Sequence, residues 1–235
     1  MKKVLFILFV ASGSLLARGV SSHPAGATTI VFENRTDFLL ATGATPTTAL
    51  PNLGLIPGGS AARQTVGDLT FSIEILPSSN ELFIGSAGEP ALGGQPWTSR
   101  LPGNHIAISG LENLNVDIAS PVFSFGFDFV EPENDPFIHA PFIDSTFGVI
   151  LLNEGLSVAS FTFNAPDDTA AFIGVWTSSP FQRVEIREIV GGAENEFFGQ
   201  FYTGITPVPE PGTLILLGSG LAGLVGVVWR RHRRK

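Results

Sequence analysis

The stretch Phe123-Ser124-Phe125-Gly126-Phe127-Asp128-Phe129 alternates a phenylalanine with a small or polar residue without interruption. Successive side chains of a β-strand point to opposite faces, so this pattern predicts a strand with four phenylalanines on one face. Ser124, Gly126 and Asp128 would occupy the other face, in contact with water. Burial of each phenylalanine contributes about 2 kcal/mol, and we therefore expect a half-buried strand that packs on a phenylalanine-rich core.

Similar strands are predicted on both sides of this stretch. Leu69 to Ile75 alternates in the same way, and Val184 and Ile186 alternate with Arg183, Glu185 and Arg187. Turn clusters rich in Gly, Pro, Asn and Asp separate the segments, and Asn153-Glu154-Gly155 has the length of a hairpin loop. A short helix is expected at Asp37 to Ala41. About ten short strands with regular turns predict an all-β fold, an antiparallel β-sandwich of jelly-roll type. The remaining strand candidates are Thr29 to Phe32, His105 to Ser109, Leu114 to Ile118, Phe147 to Leu152, Ser157 to Phe163, Ala171 to Trp176 and Phe197 to Tyr202.

The first residues have the pattern of a secretory signal peptide. Met1-Lys2-Lys3 is followed by an apolar run that continues to Leu16. Small residues allow cleavage after Ser22 or after Ala27, and the sequence does not decide between them. We therefore assign residues 1–27 to a signal peptide, with an uncleaved anchor as the alternative.

The last residues have the pattern of a single membrane-spanning helix. Residues 213–229 carry no charge and would span about 25 Å as a helix. A basic tail at 230–235 would hold the terminus in the cytoplasm, because basic residues cross the bilayer poorly. A plain carboxyl-terminal membrane anchor is one interpretation of these features. The basic residues of the tail are Arg230, Arg231, Arg233, Arg234 and Lys235.

The motif in front of this helix favours a sharper interpretation. Val208-Pro209-Glu210-Pro211-Gly212, the short Gly-rich apolar helix and the terminal Arg cluster together resemble the PEP-CTERM sorting signal of Gram-negative bacteria that make extracellular polysaccharide. The resemblance covers residues 208–235. It implies a precursor anchored in the inner membrane, which an exosortase-like protease cleaves near Pro209-Glu210-Pro211 and transfers to the cell surface or the medium. Signal peptidase and the secretion machinery would be the other partners.

The segment between the two ends, residues 28–206, weakly resembles the jelly-roll ectodomains found ahead of PEP-CTERM tails. The resemblance rests on Leu101-Pro102-Gly103, on Pro121 to Phe127 and on Ala171 to Val175. Those ectodomains usually close on an acidic Ile-Asp-Asp-type motif. This chain has Asn195-Glu196-Phe197-Phe198-Gly199 in its place.

The ectodomain is strongly acidic and contains no cysteine. It holds five arginines, no lysine and 20 acidic residues, a net charge of −15. Such a surface repels nucleic acid and anionic polymers unless divalent ions intervene. The absence of cysteine excludes disulfides and thiolate metal sites, so that stability must come from packing.

One acidic loop is a candidate calcium site. Calcium prefers six to eight oxygen ligands from a flexible loop, and Asp144 or a backbone carbonyl could complete the shell. A solvated acidic loop without metal is the alternative. The proposed ligands are Asp128, Glu131, Glu133, Asn134 and Asp135.

Three aromatic residues are candidates for glycan stacking: Trp97, Trp176 and Tyr202. Trp97 follows a Gly- and Pro-rich segment, whereas Trp176 ends an apolar strand and has a core position as its alternative. For hydrolysis only His105 and His139 are present between residues 28 and 206, and neither lies in a zinc-protease pattern. The sequence also contains no Gly-x-Ser-x-Gly nucleophile elbow and no P-loop.

The sequence thus predicts an exported, non-enzymatic component of the cell envelope or of an extracellular polysaccharide matrix such as a biofilm. The alternative is a carbohydrate-binding jelly-roll lectin, with or without the assistance of calcium, and the third hypothesis is an extracellular hydrolase.

Overall fold

The computed structural model describes residues 27–74, 81–86, 101–108, 113–131, 144–191 and 196–207 of the 235. Within them the chain forms one α-helix, α1 (Arg35–Thr42), one 3₁₀ turn (Gly59–Ala61) and twelve strands. The strands are β1 (Thr29–Phe32), β2 (Thr45–Pro46), β3 (Gly54–Ile56), β4 (Arg63–Val66), β5 (Leu69–Ile73), β6 (Leu82–Ser86), β7 (Asn104–Ile108), β8 (Leu114–Val130), β9 (Thr146–Asn153), β10 (Leu156–Phe163), β11 (Ala171–Val190) and β12 (Phe197–Gly204). Residues 1–26 of the predicted signal peptide and the segment 208–235 lie outside these residues.

The twelve strands are joined by hydrogen bonds into one sheet, which folds into two layers. The long strands β8 and β11 belong to both layers. The first half of β8 lies between β5 and the second half of β11, whereas its second half lies between β12 and the first half of β11. The register of the β8–β11 pair shifts between Trp176 and Phe181, where the long strands pass from one layer to the other. One layer has the order β4-β5-β8-β11-β9-β10 and the other β1-β11-β8-β12-β7-β6-β3. Every pair is antiparallel, which confirms the predicted fold class.

The phenylalanine core lies between the layers, as the alternating stretch predicts. Phe125, Phe127 and Phe129 of β8 are each no more than 1% exposed. The ring of Phe129 lies 5.2 Å from that of Phe147 on β9, and Phe71 of β5 lies 4.9 Å from the ring of a β12 residue, Phe201. These contacts join the two layers across the interior.

The prediction of a water-exposed second face of β8 is wrong. Ser124 is fully buried and Asp128 is 4% exposed, because α1 covers this face. Asn34 begins the helix by accepting a hydrogen bond from the backbone N–H of Asp37 at 3.1 Å. Phe38 of α1 is then fully buried against Phe172, with the ring centroids 5.2 Å apart.

The structure merges two pairs of predicted strands. Leu114 to Ile118 and Phe123 to Phe129 both belong to β8, and Ala171 to Trp176 and the segment around Ile186 both belong to β11. The hydrophobic pattern breaks where each strand crosses between layers, although the strand continues. The predicted β9–β10 hairpin is confirmed, with Glu154 at φ 50° and Gly155 at φ 79°.

Strands β2, β3, β4 and β6 were not predicted. Strands β2 and β3 contain two and three residues, too few for a recognisable alternation. Strand β4 has a single apolar residue, and β6 is buried at four successive residues and therefore does not alternate. Within the described ranges, no helix is long and apolar enough to span a membrane.

Candidate functional site

An acidic cluster lies at one end of the sandwich, where several strands begin or end. Glu131 follows the last residue of β8, Asp144 comes two residues before β9, and Asp167 lies in the β10–β11 connection. One carboxylate oxygen from each residue lies within 4.8 Å of the others. The backbone holds this arrangement together, since the N–H of Asp168 donates to the carbonyl oxygen of Glu131 at 2.7 Å. The geometry brings three negative charges to one point.

A second buried carboxylate lies behind the cluster. The backbone N–H of Ser145 donates to Oε1 of Glu131 at 2.5 Å, and the Ser145 hydroxyl donates to Oε1 of Glu196 at 3.0 Å. Glu131 and Glu196 are both fully buried, and Oε2 of each has no hydrogen-bond partner. A buried charged oxygen without a partner is costly, so this pair requires a proton or a cation.

The pKa values of these carboxyl groups reflect their surroundings. Burial raises the pKa of Glu131 to about 7, and the nearby charges of Asp167 and Asp144 add to the increase. Burial raises the pKa of Glu196 to about 8, with further contributions from the charges of Glu188 and Glu131. The pKa of Asp167 is raised as well, by desolvation first and then by Asp144 and Asp168. Negative charge is therefore concentrated here against an electrostatic cost.

The arginines that the structure describes form their ion pairs elsewhere. Arg35 pairs with Asp128, Arg63 with Asp117, and Arg183 with Asp117 and Glu185. The ion pairs of Arg187 are with Glu74 and Glu185. The fifth arginine of the ectodomain, Arg100, lies outside the described residues. None of the ion pairs of these four arginines involves Glu131, Asp144 or Asp167, and the ectodomain contains no lysine.

The acidic cluster shares one residue with the calcium loop predicted from the sequence. Glu131 belongs to it, whereas Asp128 lies on the face of β8 beneath α1 and pairs with Arg35 at 2.5 Å. Burial raises the pKa of Asp128, and the hydrogen bond and charge of Arg35 partly offset this increase. The other predicted ligands, Glu133, Asn134 and Asp135, lie outside the described residues.

Sequence reasoning suggested Asp144 as an additional ligand but missed Asp167 and Glu196. In the sequence Asp167 follows Ala165-Pro166 in a segment typical of a turn, and nothing in this local pattern distinguishes it from an ordinary turn residue. Glu196 stands where the jelly-roll ectodomains that this sequence weakly resembles carry an acidic motif, and this position was the one available signal for it.

Two of the three predicted glycan-stacking residues are corrected by the structure. Trp176 is 3% exposed and Tyr202 is 6% exposed, so neither offers a ring face to a sugar. Tyr202 packs edge-on against Phe172 at 5.7 Å and beneath the guanidinium of Arg35. Both side chains are buried because β11 and β12 are covered on both faces at these residues. Trp97 lies outside the described residues and stays a prediction.

A polar groove crosses the outer face of the β4-β5-β8-β11 layer, with a volume of about 540 Å³. We call it the arginine groove. Arg183 donates from Nε to Glu185 and from Nη1 to Asp117, both at 2.8 Å. Arg63 is 61% exposed at the rim and donates to the same Asp117. The groove presents alternating donors and acceptors, as sugar hydroxyls require. Its charged and amide residues are Arg63, Glu74, Asn115, Arg183, Glu185 and Arg187.

The two candidate catalytic histidines do not form a described site. His105 is fully buried on β7, edge-on to the ring of Phe197 at 5.0 Å, and burial lowers its pKa to about 4. It is therefore a neutral core residue at physiological pH. His139 lies outside the described residues.

Comparison with known proteins gives one family match and several distant structural likenesses. Residues 207–234 match the family described as the PEP-CTERM protein-sorting motif. No curated protein matches the chain.

Among solved structures, a mutant of the family 29 carbohydrate-binding module CBM29-2 shares 14% identity at a TM-score of 0.34, over 73% of this chain and 94% of that one. A second family 29 mutant shares 14% at a TM-score of 0.31, over 68% and 92%. The enzymatically active domain of a tailspike protein of bacteriophage CBA120 shares 14% at 0.34, over 59% and 19%. At these values the likenesses carry no argument about function. The matched residues establish that this chain carries a PEP-CTERM protein-sorting motif at 207–234, behind an antiparallel β-sandwich.

Proposed function

We propose that this chain is an exported surface protein processed by an exosortase, and that its β-sandwich is a non-enzymatic component of the cell envelope or of the extracellular polysaccharide matrix. The observation that carries the proposal is the PEP-CTERM motif directly behind a domain whose last described strand ends at Gly204. The processing site is thereby separated from the folded domain by only a few residues. The processed product would be the sandwich itself.

The chemistry of the motif is that of a protease substrate. Pro209 and Pro211 remove two backbone donors and favour extended backbone for Glu210 between them. An extended segment just outside the bilayer is accessible to a membrane-embedded active site. The uncharged segment 213–229, as a membrane-spanning helix, and the basic tail would hold the precursor in the inner membrane until cleavage.

The test replaces Pro209, Glu210 and Pro211 together by alanine. We expect the precursor to accumulate uncleaved in the inner membrane, measured by fractionation and by the mass of the released protein. The matched control replaces Ile205 and Thr206, which are exposed and lie outside the motif, and it should be processed normally. Normal release of the triple-alanine chain would refute exosortase processing.

The absence of enzymatic activity is part of the proposal. It is supported by His105, which is fully buried and has no route to a substrate, and by the lack of a hydrolase motif in the sequence. Hydrolysis of a polysaccharide by the purified protein would contradict it.

Carbohydrate binding is the second candidate function, and the arginine groove favours it. Its size falls in the range of small-ligand sites, and its charges balance locally, with Asp117, Glu185 and Glu74 beside three arginines. A neutral polysaccharide suits such a surface better than an anionic one, because the net charge of the ectodomain repels polyanions. We propose calcium as a cofactor of this module, on the basis of the oxygen ligands in the acidic cluster.

Two variants separate the possible binding sites. Arg183→Gln should weaken binding to a neutral polysaccharide about tenfold if the groove carries it, since two charge-assisted hydrogen bonds of the array are lost. Trp97→Ala should weaken this binding to a similar extent if Trp97 contacts the polysaccharide. Affinity electrophoresis against neutral and uronic-acid polysaccharides measures both. If none of the polysaccharides retards the migration of the wild-type protein, the second candidate function is wrong, whereas the sorting proposal is unaffected.

A further inference from the structure

We propose that the acidic cluster is a calcium site that fastens the open end of the sandwich, with Glu131, Asp144 and Asp167 as its carboxylate ligands and Glu196 behind them. This inference rests on the proposed calcium dependence of the ectodomain, but it does not depend on sorting or on glycan binding. It differs from the loop site expected from the sequence, with which it shares Glu131 and the additional ligand Asp144.

The first observation is the convergence of three carboxylates from distant parts of the chain. Their oxygens lie within 4.8 Å of one another, close enough for one ion to contact all three. Calcium binds carboxylate oxygens at 2.3–2.6 Å and completes its shell with carbonyl oxygens or water. Asp144 lies at the surface and leaves one side of the site open for such water.

The second observation is independent of the cluster's charge count. Oε1 of Glu131 is held by the backbone N–H of Ser145, while Oε2 of the same fully buried side chain has no hydrogen-bond partner. Glu196 repeats this arrangement, with Oε1 accepting from the Ser145 hydroxyl and Oε2 without a partner. A folded chain rarely leaves buried carboxylate oxygens unsatisfied, and a cation at the cluster would satisfy Oε2 of Glu131.

The third observation concerns what the cation would hold together. Glu131 ends β8, Asp144 precedes β9, Asp167 lies in the β10–β11 connection and Glu196 precedes β12. In the layers described above, β9 and β10 belong to one layer, whereas the end of β8 and β12 belong to the other. One ion would therefore link both layers at an end where the backbone ladders stop.

Calcium rather than magnesium suits this geometry. Magnesium requires a near-ideal octahedron at 2.0–2.1 Å and dehydrates reluctantly, whereas calcium accepts irregular sites built from several segments. Extracellular calcium modules bind with dissociation constants on the order of 0.1–1 mM, and we expect a value in this range.

The experiment uses the full chain purified in a mild detergent. Isothermal titration with CaCl₂ should show one site, and calcium in about 100-fold excess over the dissociation constant should raise the melting temperature by roughly 5–10 °C over the value in EGTA. MgCl₂ at the same concentration should have a clearly smaller effect.

Asp144→Asn and Asp167→Asn should each weaken calcium binding by about tenfold or more. The matched control is Asp68→Asn, which makes the same charge change at an exposed position in the β4–β5 turn and should bind like wild type. Glu131→Gln can still accept the Ser145 hydrogen bond, so it should fold in EGTA but lose the calcium response.

The outcomes separate this site from the broader proposal. Calcium binding that survives both Asp144→Asn and Asp167→Asn would overturn this site while leaving calcium dependence intact. Absence of any calcium response in wild-type protein would overturn both, and an equal response to magnesium would overturn the choice of ion. None of these results affects processing at the PEP-CTERM motif.

Discussion

Replacement of Gly174 by alanine should destabilise the protein, because β11 passes directly beneath helix α1 at this residue. A Cβ atom added to Gly174 would lie 2.7 Å from Cδ2 of Phe38 and 2.8 Å from Cε1 of Phe172. Both distances are shorter than carbon atoms tolerate, and Phe38 is fully buried, so its ring has little room to move.

The expected magnitude follows from two opposing effects. Overpacking of a tight core costs roughly 1–3 kcal/mol, while replacing glycine in a strand by alanine gains about 0.5–1 kcal/mol of chain entropy. Gly148→Ala on β9 is the matched control, because its Cβ would make only ordinary contacts, with Cγ2 of Ile189 at 3.5 Å and the carbonyl oxygen of Arg187 at 3.9 Å. Gly148→Ala should be neutral or slightly stabilising, and Gly174→Ala should be less stable than it by about 2 kcal/mol.

The assay is thermal unfolding of the full chain followed by circular dichroism. For a domain of this size, 2 kcal/mol corresponds to roughly 4–8 °C in melting temperature. Combining Gly174→Ala with Phe38→Leu should cost less than the sum of the two single substitutions, since the smaller side chain relieves the contact with residue 38. A Gly174→Ala protein as stable as Gly148→Ala would refute the packing of α1 on this face.

Two further predictions concern buried ionisable groups. Burial lowers the pKa of His105 from 6.5 to about 4. Above pH 6.5 the imidazole is neutral in both the folded and the unfolded chain, so it does not affect the free energy of unfolding. Between pH 6.5 and 4 only the unfolded chain binds the proton, and the free energy of unfolding therefore falls as the pH falls. This loss approaches about 3 kcal/mol and should be absent from His105→Gln when denaturant unfolding is measured across that range; an identical pH slope in both proteins would contradict it. Arg35→Gln should lower the free energy of unfolding by about 1–2 kcal/mol, because it leaves Asp128 buried without its partner. The double variant Arg35→Gln with Asp128→Asn should be more stable than Arg35→Gln alone. Additive losses in the same assay would argue against the ion pair.

Local pattern was sufficient wherever one face of a strand meets the core. The alternation from Phe123 to Phe129 predicted a strand with its phenylalanines buried, and the structure confirms this at Phe125, Phe127 and Phe129, while Phe123 at the crossing between layers is only half-buried. The same pattern could not predict that Ser124 and Asp128 are buried too. Their burial depends on α1, a separate element whose docking leaves no trace in the sequence of β8.

The PEP-CTERM motif could be recognised from the sequence because its residues are contiguous along the chain. A sorting enzyme recognises such a segment by its local chemistry. The order of Pro-Glu-Pro, apolar segment and basic tail can therefore be recognised from the sequence alone. The match at residues 207–234 confirms this reading.

The sequence by itself therefore determined the all-β class, the phenylalanine core and the sorting motif, since each depends on neighbouring residues or on a period of two. Only the tertiary structure decided which acidic residues meet. Asp128 and Glu131 are three residues apart, yet one pairs with Arg35 and the other joins Asp144 and Asp167. The physical reason is that strand pairing places residues from distant segments side by side, whereas alternation along a strand sends close neighbours to opposite faces.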